Sequence, residues 1–265
     1  MMTRNKLRKM FLLLAALSLL ALAGCSEDTP LAPIADPDPQ TEAPTLPDAS
    51  KLQIDLSFFD QGRDLDKAAA RWNFFNAYLR AVVVTAMTEV VLAPPVAAFS
   101  LAVHTVPSYQ PDGSWLWVYT FVNGAQEAQI RLRGIIGDDH VDWEMRVTAL
   151  DEGIENALWF DGATRDQGDT GDWTFYDVAQ AGDPAVAELH WAHRPASNTI
   201  RVVALLGDDA GNALTFSEAD GENRIDFDEN TGDAWFIRWV EADGTGSLRV
   251  SDYNGGQEAC WDEQQ

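Results

Sequence analysis

Apolar and polar residues alternate along most of this chain, from about residue 96 to about residue 253. Alternation with period two is typical of β-strands with one buried face, and turn signals interrupt it roughly every 8–12 residues. The pattern predicts about eleven strands, each paired with its neighbour in sequence, with no intervening helix. The fold class is therefore mainly β, an up-and-down antiparallel meander. A sheet of this length is expected to curl into a barrel or half-barrel with an apolar inner side.

Short turns in the meander predict how neighbouring strands pair. Asn123-Gly124 and Asp220-Gly221 have the composition of two-residue hairpin turns, and Gly137-Asp138 and Asp243-Gly244 mark two further hairpins. The predicted opposite pairs in the first half are Phe121 with Gln126, Trp117 with Ile130, Ile130 with Met145, Arg131 with Glu144 and Arg133 with Asp142. In the second half they are Phe216 with Ile225, Leu214 with Phe227, Phe227 with Trp235, Ile225 with Ile237 and Trp239 with Leu248. Both sets place large apolar residues on one shared face.

One long helix is predicted before the meander, over about residues 64–93. Asp64 and Asp66 favour its start, and Pro94-Pro95 is expected to end it. Its apolar residues recur at spacings of three and four, and they are Leu65, Ala69, Trp72, Phe75, Leu79, Val82, Val83, Ala86, Met87 and Val90. We expect this stripe to pack on the sheet, so that the helix lies on or in the barrel.

The chain before this helix is rich in proline and acidic residues. Residues 25–50 contain Pro30, Pro33, Pro37, Pro39, Pro44 and Pro47 and almost no large apolar side chains. Such a segment cannot bury enough surface to fold, which predicts an extended spacer. Residues 51–265 are then a single domain, consisting of the helix, the meander and a C-terminal tail.

The first 25 residues have the order of a secretory signal. Basic residues lie between Arg4 and Lys9, an apolar run covers residues 10–23, and the run ends in Leu22-Ala23-Gly24-Cys25. Those four residues resemble the lipobox of bacterial lipoproteins. The resemblance implies cleavage between Gly24 and Cys25 and acylation of Cys25 with chains such as palmitate. Ser26 after the cysteine implies outer-membrane sorting, with the domain facing the periplasm or the cell surface.

Charge and cysteine content limit the partners of the mature chain. Residues 1–24 hold four basic and no acidic residues, so 14 Lys and Arg remain against 42 Asp and Glu, a formal charge of −28. Such a surface repels nucleic acid. Lipidation of Cys25 leaves Cys260 as a lone thiol without a disulfide partner. No second apolar run reaches the roughly 18 residues of a membrane span, so the lipid is the expected anchor.

Catalytic and metal-binding patterns are weak in this sequence. His190 and His193 would point to opposite faces of a strand, and no zinc, P-loop or nucleophile-elbow motif is present. Acidic turns at residues 166–172 and 218–229 offer oxygen ligands for a structural Ca²⁺, but the second lacks the bidentate glutamate of an EF-hand. We expect solvated turns, no metal site and no cofactor. A glycan-active hydrolase that uses scattered carboxylates is the least favoured hypothesis, because no acid/base pair stands out.

A row of aromatic residues is the main candidate for a binding site. The candidates are Trp115, Trp117, Tyr119, Phe121, Trp143, Trp173, Trp191, Trp235 and Trp239. They would form a solid core under the helix, or they would line a pocket for an apolar ligand. The inferred architecture is similar to the half-barrel carriers of periplasmic lipoproteins and to the lipocalins, although no signature residues match either group.

The leading functional hypothesis is a non-catalytic envelope lipoprotein that binds a hydrophobic or lipid-like ligand. The alternative is a structural or assembly module that docks another envelope protein through an exposed surface.

Overall fold

Thirteen β-strands form one antiparallel sheet in which each strand pairs with the next strand in sequence. The computed structural model describes residues 42–60, 68–123 and 126–262. The strands are β1 (Ser108–Tyr109), β2 (Ser114–Asn123), β3 (Gln126–Ile136), β4 (His140–Ala149), β5 (Ile154–Arg165), β6 (Thr170–Tyr176), β7 (Ala185–Arg194), β8 (Ser197–Ala204), β9 (Ala213–Ala219), β10 (Glu222–Asp228), β11 (Ala234–Val240), β12 (Gly246–Arg249) and β13 (Ala259–Trp261). Within the described residues the sheet is open, because its order begins at β1 and ends at β13. The predicted meander is confirmed, and β1 and β13 lengthen it at both edges.

Helical segments precede the sheet or join its strands. The α-helices are α1 (Ser57–Asp60) and α2 (Ala68–Ala102). Short 3-10 turns are found at Ala49–Leu52, Leu150–Glu152, Asp166–Gly168 and Asn254–Gly256.

The sheet has one apolar face and one polar face. On β4, Trp143, Met145 and Val147 are buried, whereas Asp142 and Glu144, at the alternating positions, point to the other side. The buried side chains of the apolar face form one hydrophobic cluster together with residues of α1 and α2. Because every strand contributes to this cluster through alternate positions, the period-two pattern is the main determinant of the fold.

The predicted pairing of β9, β10 and β11 is confirmed. The observed opposite pairs are Phe216 with Ile225, Leu214 with Phe227, Phe227 with Trp235, and Ile225 with Ile237. The turn at Asp220-Gly221 closes with both residues at positive φ, the backbone that a two-residue hairpin turn of this composition adopts.

Three other hairpins are shifted by two residues from the predicted register. The observed pairs are Trp117 with Leu132, Ile130 with Val147, and Ile237 with Leu248. At the β3–β4 turn, Gly137 N–H donates to the His140 carbonyl, so the loop is Asp138-Asp139 rather than Gly137-Asp138. A shift of two leaves each side chain on its predicted face, and for that reason the apolar pattern could not exclude it.

The register shift also changes the predicted charge pairs on β3 and β4. Arg131 lies opposite Arg146 rather than Glu144, and Arg133 lies opposite Glu144 rather than Asp142. Glu144 and Arg133 each bond a residue other than the predicted one. Arg146 Nε donates to Glu144 on its own strand at 2.9 Å, and Arg133 bonds Asp112 at 2.7 Å.

Helix α2 continues past the prolines that were expected to end it. Pro94 and Pro95 lie inside the helix, which extends to Ala102. An interior proline costs about 3 kcal/mol or more. Phe99 and Ala102, beyond the prolines, are fully buried in the hydrophobic cluster, and their burial favours continuation of the helix. The expected start near residue 64 falls outside the described residues.

The side of α2 that faces the sheet is not the predicted one. The buried positions are Ala70, Phe74, Ala77, Ala81 and Val84. The described members of the predicted stripe lie on the opposite side of the helix, where Trp72 is 59%, Phe75 43%, Leu79 45% and Val82 48% exposed. The inner side consists largely of alanine, because the sheet already supplies bulky tryptophans at this contact.

Both ends of the described chain pack on the domain. In the predicted spacer, Pro44 and Pro47 are buried, and Leu46 packs against the hydrophobic cluster, so residues 42–50 belong to the folded domain. In the predicted C-terminal tail, Trp261 on β13 is fully buried. Cys25, Gly24 and the rest of the spacer lie outside the described residues.

Candidate functional site

The aromatic residues singled out in the sequence lie together on the apolar face, with one exception. The buried ones are Trp115, Trp117, Trp143, Trp173, Trp191 and Trp239. Tyr119 and Trp235 are half-buried against the same hydrophobic cluster, and burial raises the pKa of the Tyr119 phenol. Phe121 is half-exposed, near the end of β2.

Helix α2 contacts this aromatic face at two separate places. Near its end, Phe99 lies 5.5 Å from Trp143 and 5.2 Å from Trp173, measured between ring centroids. Near its start, Phe74 lies 5.9 Å from Trp261. The rings of α1 complete the second contact, since Phe59 lies 5.0 Å from Trp239. The helix is therefore held on the sheet by an aromatic cluster at each end.

Glycines on the apolar face make room for the indole rings. A Cβ at Gly171 would lie 2.1 Å from the Trp191 ring, and a Cβ at Gly246 would lie 2.1 Å from the Trp261 ring. Each indole thus lies directly over the backbone of a neighbouring strand. Pairing a large ring with a glycine gives the close packing of a protein interior.

The buried indole N–H groups fall into two classes. Trp143 donates to Thr164 Oγ1 at 2.8 Å, and Trp191 donates to the Gly168 carbonyl at 3.0 Å. The indole nitrogens of Trp115, Trp173, Trp239 and Trp261 have no hydrogen-bond acceptor among the described residues. A buried donor without an acceptor costs about 1–3 kcal/mol. These four indole N–H groups are therefore unsatisfied polar groups on an otherwise apolar face.

The outward side of α2 is a second candidate surface. We call Trp72, Phe75, Leu79 and Val82 the outer stripe. The rings of Trp72 and Phe75 lie 5.7 Å apart, and Tyr78 stacks on Phe75 at 6.4 Å. Large exposed apolar side chains grouped on one surface are typical of a binding site rather than of a solvated surface.

A polar clamp fixes which side of α2 faces outward. Asn73 donates through Nδ2 to the Cys260 carbonyl at 2.6 Å and accepts from the Tyr253 hydroxyl at 2.5 Å. Arg80, two turns further on, pairs with Asp252 at 3.3 Å. Because the partners lie at the C-terminal edge of the sheet, rotation of the helix about its axis would break these contacts.

Two shallow depressions lie on the polar face of β2–β6. One, of about 490 Å³, is lined by residues such as Asp142, Asp161 and Arg165. The other, of about 640 Å³, is lined by residues such as Gln129, Arg131 and Arg146. Both mix arginines with carboxylates, and neither is an apolar pocket.

The carboxylates of the first depression are all engaged with protein groups. The contacts are Asp172 with Arg165 at 2.8 Å, Glu144 with Arg146 at 2.9 Å, Asp142 with His140 at 3.3 Å, and Asp161 with the Tyr176 hydroxyl at 3.0 Å. The hydrogen bond to Asp139 and the charge of Asp142 raise the pKa of His140. A glycoside hydrolase of the usual kind needs a pair of carboxyls free to act as acid and base, and this depression does not supply one.

The other titratable candidates also have structural contacts. His193 bonds the Asn198 side chain at 2.9 Å and the Lys51 carbonyl at 2.5 Å. In the acidic turn at residues 166–172, Asp169 pairs with the Lys51 ammonium group. Within the described parts of the chain, no group of three or more potential metal ligands is present.

Sequence reasoning missed Phe58, Phe74, Phe99 and Trp261, which complete the apolar face. A signal was present for two of them. Trp261 alternates with Ala259, and Phe74 belongs to a second apolar series at spacings of three and four along α2.

Together these features describe an open antiparallel meander whose apolar face is covered by a helix. That helix carries a second apolar side, which is exposed in the part of the chain that the structure describes. The chain matches no protein-family model and no curated protein sequence. Among the described residues, no helix combines the length and hydropathy needed to cross a bilayer.

Proposed function

We propose that this chain is a non-catalytic lipoprotein of the cell envelope that binds a hydrophobic or lipid-like partner. The proposal places the lipid anchor on Cys25 and the binding surface on the outer stripe of α2. The observation that carries it is the exposure of four large apolar side chains on one helix of a strongly acidic chain.

The contacts of α2 support a surface that is held in place. Phe74 and Phe99 seat the helix at both ends, and Asn73 fixes its rotation. Because the inner side is fully occupied by these contacts, the outer stripe has no second place to bury itself within the described domain. A pre-organised apolar surface binds at a lower entropic cost than one that must first be ordered.

The curl of the sheet belongs to the same proposal. Helix α2 approaches β12 and β13 at one edge and β2 and β3 near the other. A half-barrel whose edges bend toward the helix accounts for both contacts, and it would present the outer stripe along the open side of the sheet.

A second candidate is a ligand held on the apolar face itself. The four buried indole N–H groups without acceptors favour it, because a bound molecule with oxygen atoms would satisfy donors that the protein leaves unpaired. Native mass spectrometry and lipid extraction of the purified mature chain test this candidate. Repeated recovery of an empty protein would refute it.

The lipid anchor is tested by Cys25→Ser in the full chain. Wild-type protein should incorporate labelled palmitate and be cleaved before Cys25, whereas the variant should show neither change. Equal palmitate labelling of wild type and Cys25→Ser would contradict the lipoprotein assignment.

The binding surface is tested by photo-crosslinking in intact cells. A benzophenone side chain in place of Phe75 should form adducts on irradiation, and the same group in place of Val106, which is exposed but off the helix, should not. The mass of the adduct separates a lipid from a protein. Equal adduct yields at the two positions would refute the outer stripe as the binding surface.

A further inference from the structure

The geometry points to a specific occupant of the outer stripe. We propose that α2 lies with this side in the interfacial region of a lipid bilayer, the one to which Cys25 anchors the chain. This inference rests on the proposed lipid anchor and names the partner that the binding surface meets.

The side chains around the outer stripe are those of an interfacial helix. Trp72 and Tyr78 have apolar rings with polar groups at one end, and such residues are enriched at the membrane–water boundary. Arg71, next to Trp72, is exposed, and a long cationic side chain at this position can reach the headgroups. In the sequence, Ala86 and Val90 continue the same spacing.

The size and charge of the surface argue against a protein partner. A stable protein interface buries about 800 Å² on each side, whereas the outer stripe is a single row of four large side chains. A second copy of the chain is disfavoured further, because two mature chains, each of formal charge −28, repel each other. A bilayer accepts a narrow apolar row without requiring a complementary shape.

The anchor makes a weak interfacial contact sufficient. Sixteen residues lie between Cys25 and Glu42, the first described residue, and a chain of that length spans at most about 60 Å. Helix α2, with 35 residues, is about 52 Å long. The tether therefore keeps the outer stripe within reach of the membrane, and the effective concentration of bilayer is high.

The acidic domain gives this contact an unusual dependence on salt. Basic amphipathic helices bind anionic lipids and are released by salt. Here the surrounding surface is strongly negative, so anionic headgroups should repel it and salt should screen that repulsion. Binding is expected to be strongest on zwitterionic lipid and to increase with ionic strength on mixed lipid.

Vesicle flotation tests the inference with the anchor removed. The mature chain carrying Cys25→Ser is mixed with phosphatidylcholine vesicles, alone and with added phosphatidylglycerol. Trp72→Gln with Leu79→Gln removes two members of the stripe and retains good helix formers. Val106→Gln with Leu150→Gln removes two exposed apolar residues that lie off the stripe. Circular dichroism and thermal unfolding check that both variants fold.

We expect the bound fraction to fall about tenfold in the stripe variant and to be unchanged in the control variant. Phosphatidylglycerol should lower the binding, and added NaCl should restore it. Equal binding of both variants, or tighter binding to phosphatidylglycerol, would overturn the inference. If light scattering shows that the wild-type chain is a dimer and the stripe variant a monomer, the outer stripe is assigned to contact with a second copy instead. If wild-type protein incorporates no palmitate but the mature chain still floats with vesicles, the lipid anchor is refuted and the membrane contact of α2 is not.

Discussion

The two sides of α2 are both apolar, yet the structure treats them in opposite ways. The inner side presents mostly alanines with two phenylalanines, and it is buried. Its members are Ala70, Phe74, Ala77, Ala81, Val84, Phe99 and Ala102. The outer stripe presents larger side chains, and it is exposed. Which side of α2 is buried therefore depends on how closely its side chains pack against the sheet, and not on which side is more hydrophobic. The sheet brings tryptophans to the contact, and a helix side of small residues can approach them closely.

This difference separates stability from binding on one helix. A change on the inner side removes packing from the folded state, whereas a change on the outer stripe removes a surface that the isolated domain leaves in water. The same substitution at neighbouring positions should therefore have different consequences.

Phe74→Ala should have the largest effect. Phe74 packs against Phe58, Phe59 and Trp261, and removing a buried phenylalanine costs about 3–5 kcal/mol. Phe75→Ala, one position further on the outer stripe, should lower the free energy of unfolding by less than about 1 kcal/mol. Urea denaturation of the two variants measures both values. Similar losses at the two positions would mean that both sides of the helix are buried.

Asn73→Leu should have the next largest effect, because it breaks the clamp that orients the helix. The Tyr253 hydroxyl and the Cys260 carbonyl each lose a partner, at a cost of about 1–3 kcal/mol. Asn76→Leu is the matched control, since Asn76 donates to the Trp72 carbonyl within the same helix. Thermal unfolding should place the control within a few degrees of wild type. A larger shift for Asn76→Leu than for Asn73→Leu would contradict the observed rotation of α2.

Removing the ion pair between Arg80 and Asp252 should have a small effect. Asp252 is mostly exposed, and an exposed pair contributes about 0–1 kcal/mol, which salt reduces further. A double-mutant cycle with Arg80→Ala and Asp252→Ala at low and high NaCl measures this coupling. A coupling well above 1 kcal/mol that salt leaves unchanged would show that the pair, and not Asn73, orients the helix.

The Cys260 thiol should report on the same edge of the sheet with the smallest effect. Burial, followed by the negative charge of Glu258, raises the pKa of this thiol. Less thiolate is then present at pH 8, so alkylation should be slower than for an unfolded peptide, and its rate should level off at a higher pH than for a free thiol. Mass spectrometry of iodoacetamide-treated protein, with and without urea, checks this. An equal rate in both states would place Cys260 in open solvent.

The sequence pattern was sufficient for the faces of the sheet but not for all of its registers. Alternation placed Trp117, Met145 and Ile237 on the apolar side correctly. At Asp220-Gly221 the turn composition also determined the register. At Gly137-Asp138, adjacent residues offered two turns that differ by two in register, and both keep the same residues buried.

The rotation of α2 could not be predicted, because the helix is apolar on both sides. Residues such as Trp72 and Leu79 were expected to be buried because they recur at spacings of three and four along the helix. That expectation ignored the volume already occupied by Trp173 and Trp239 on the sheet. The choice between the two sides depends on contacts far apart in sequence, such as Asn73 with Cys260. For the same reason, the outer stripe could not be recognised as a surface before the fold was known.

Fluorescence quenching by brominated lipid tests the central claim most directly. Of the ten tryptophans, Trp72 is the one with an exposed side chain. The lipidated full chain should lose part of its emission in vesicles of brominated phosphatidylcholine, and Trp72→Phe should remove that loss while the other tryptophans remain unquenched. Quenching that is absent in wild type, or equal in wild type and Trp72→Phe, would contradict a membrane contact through the outer stripe.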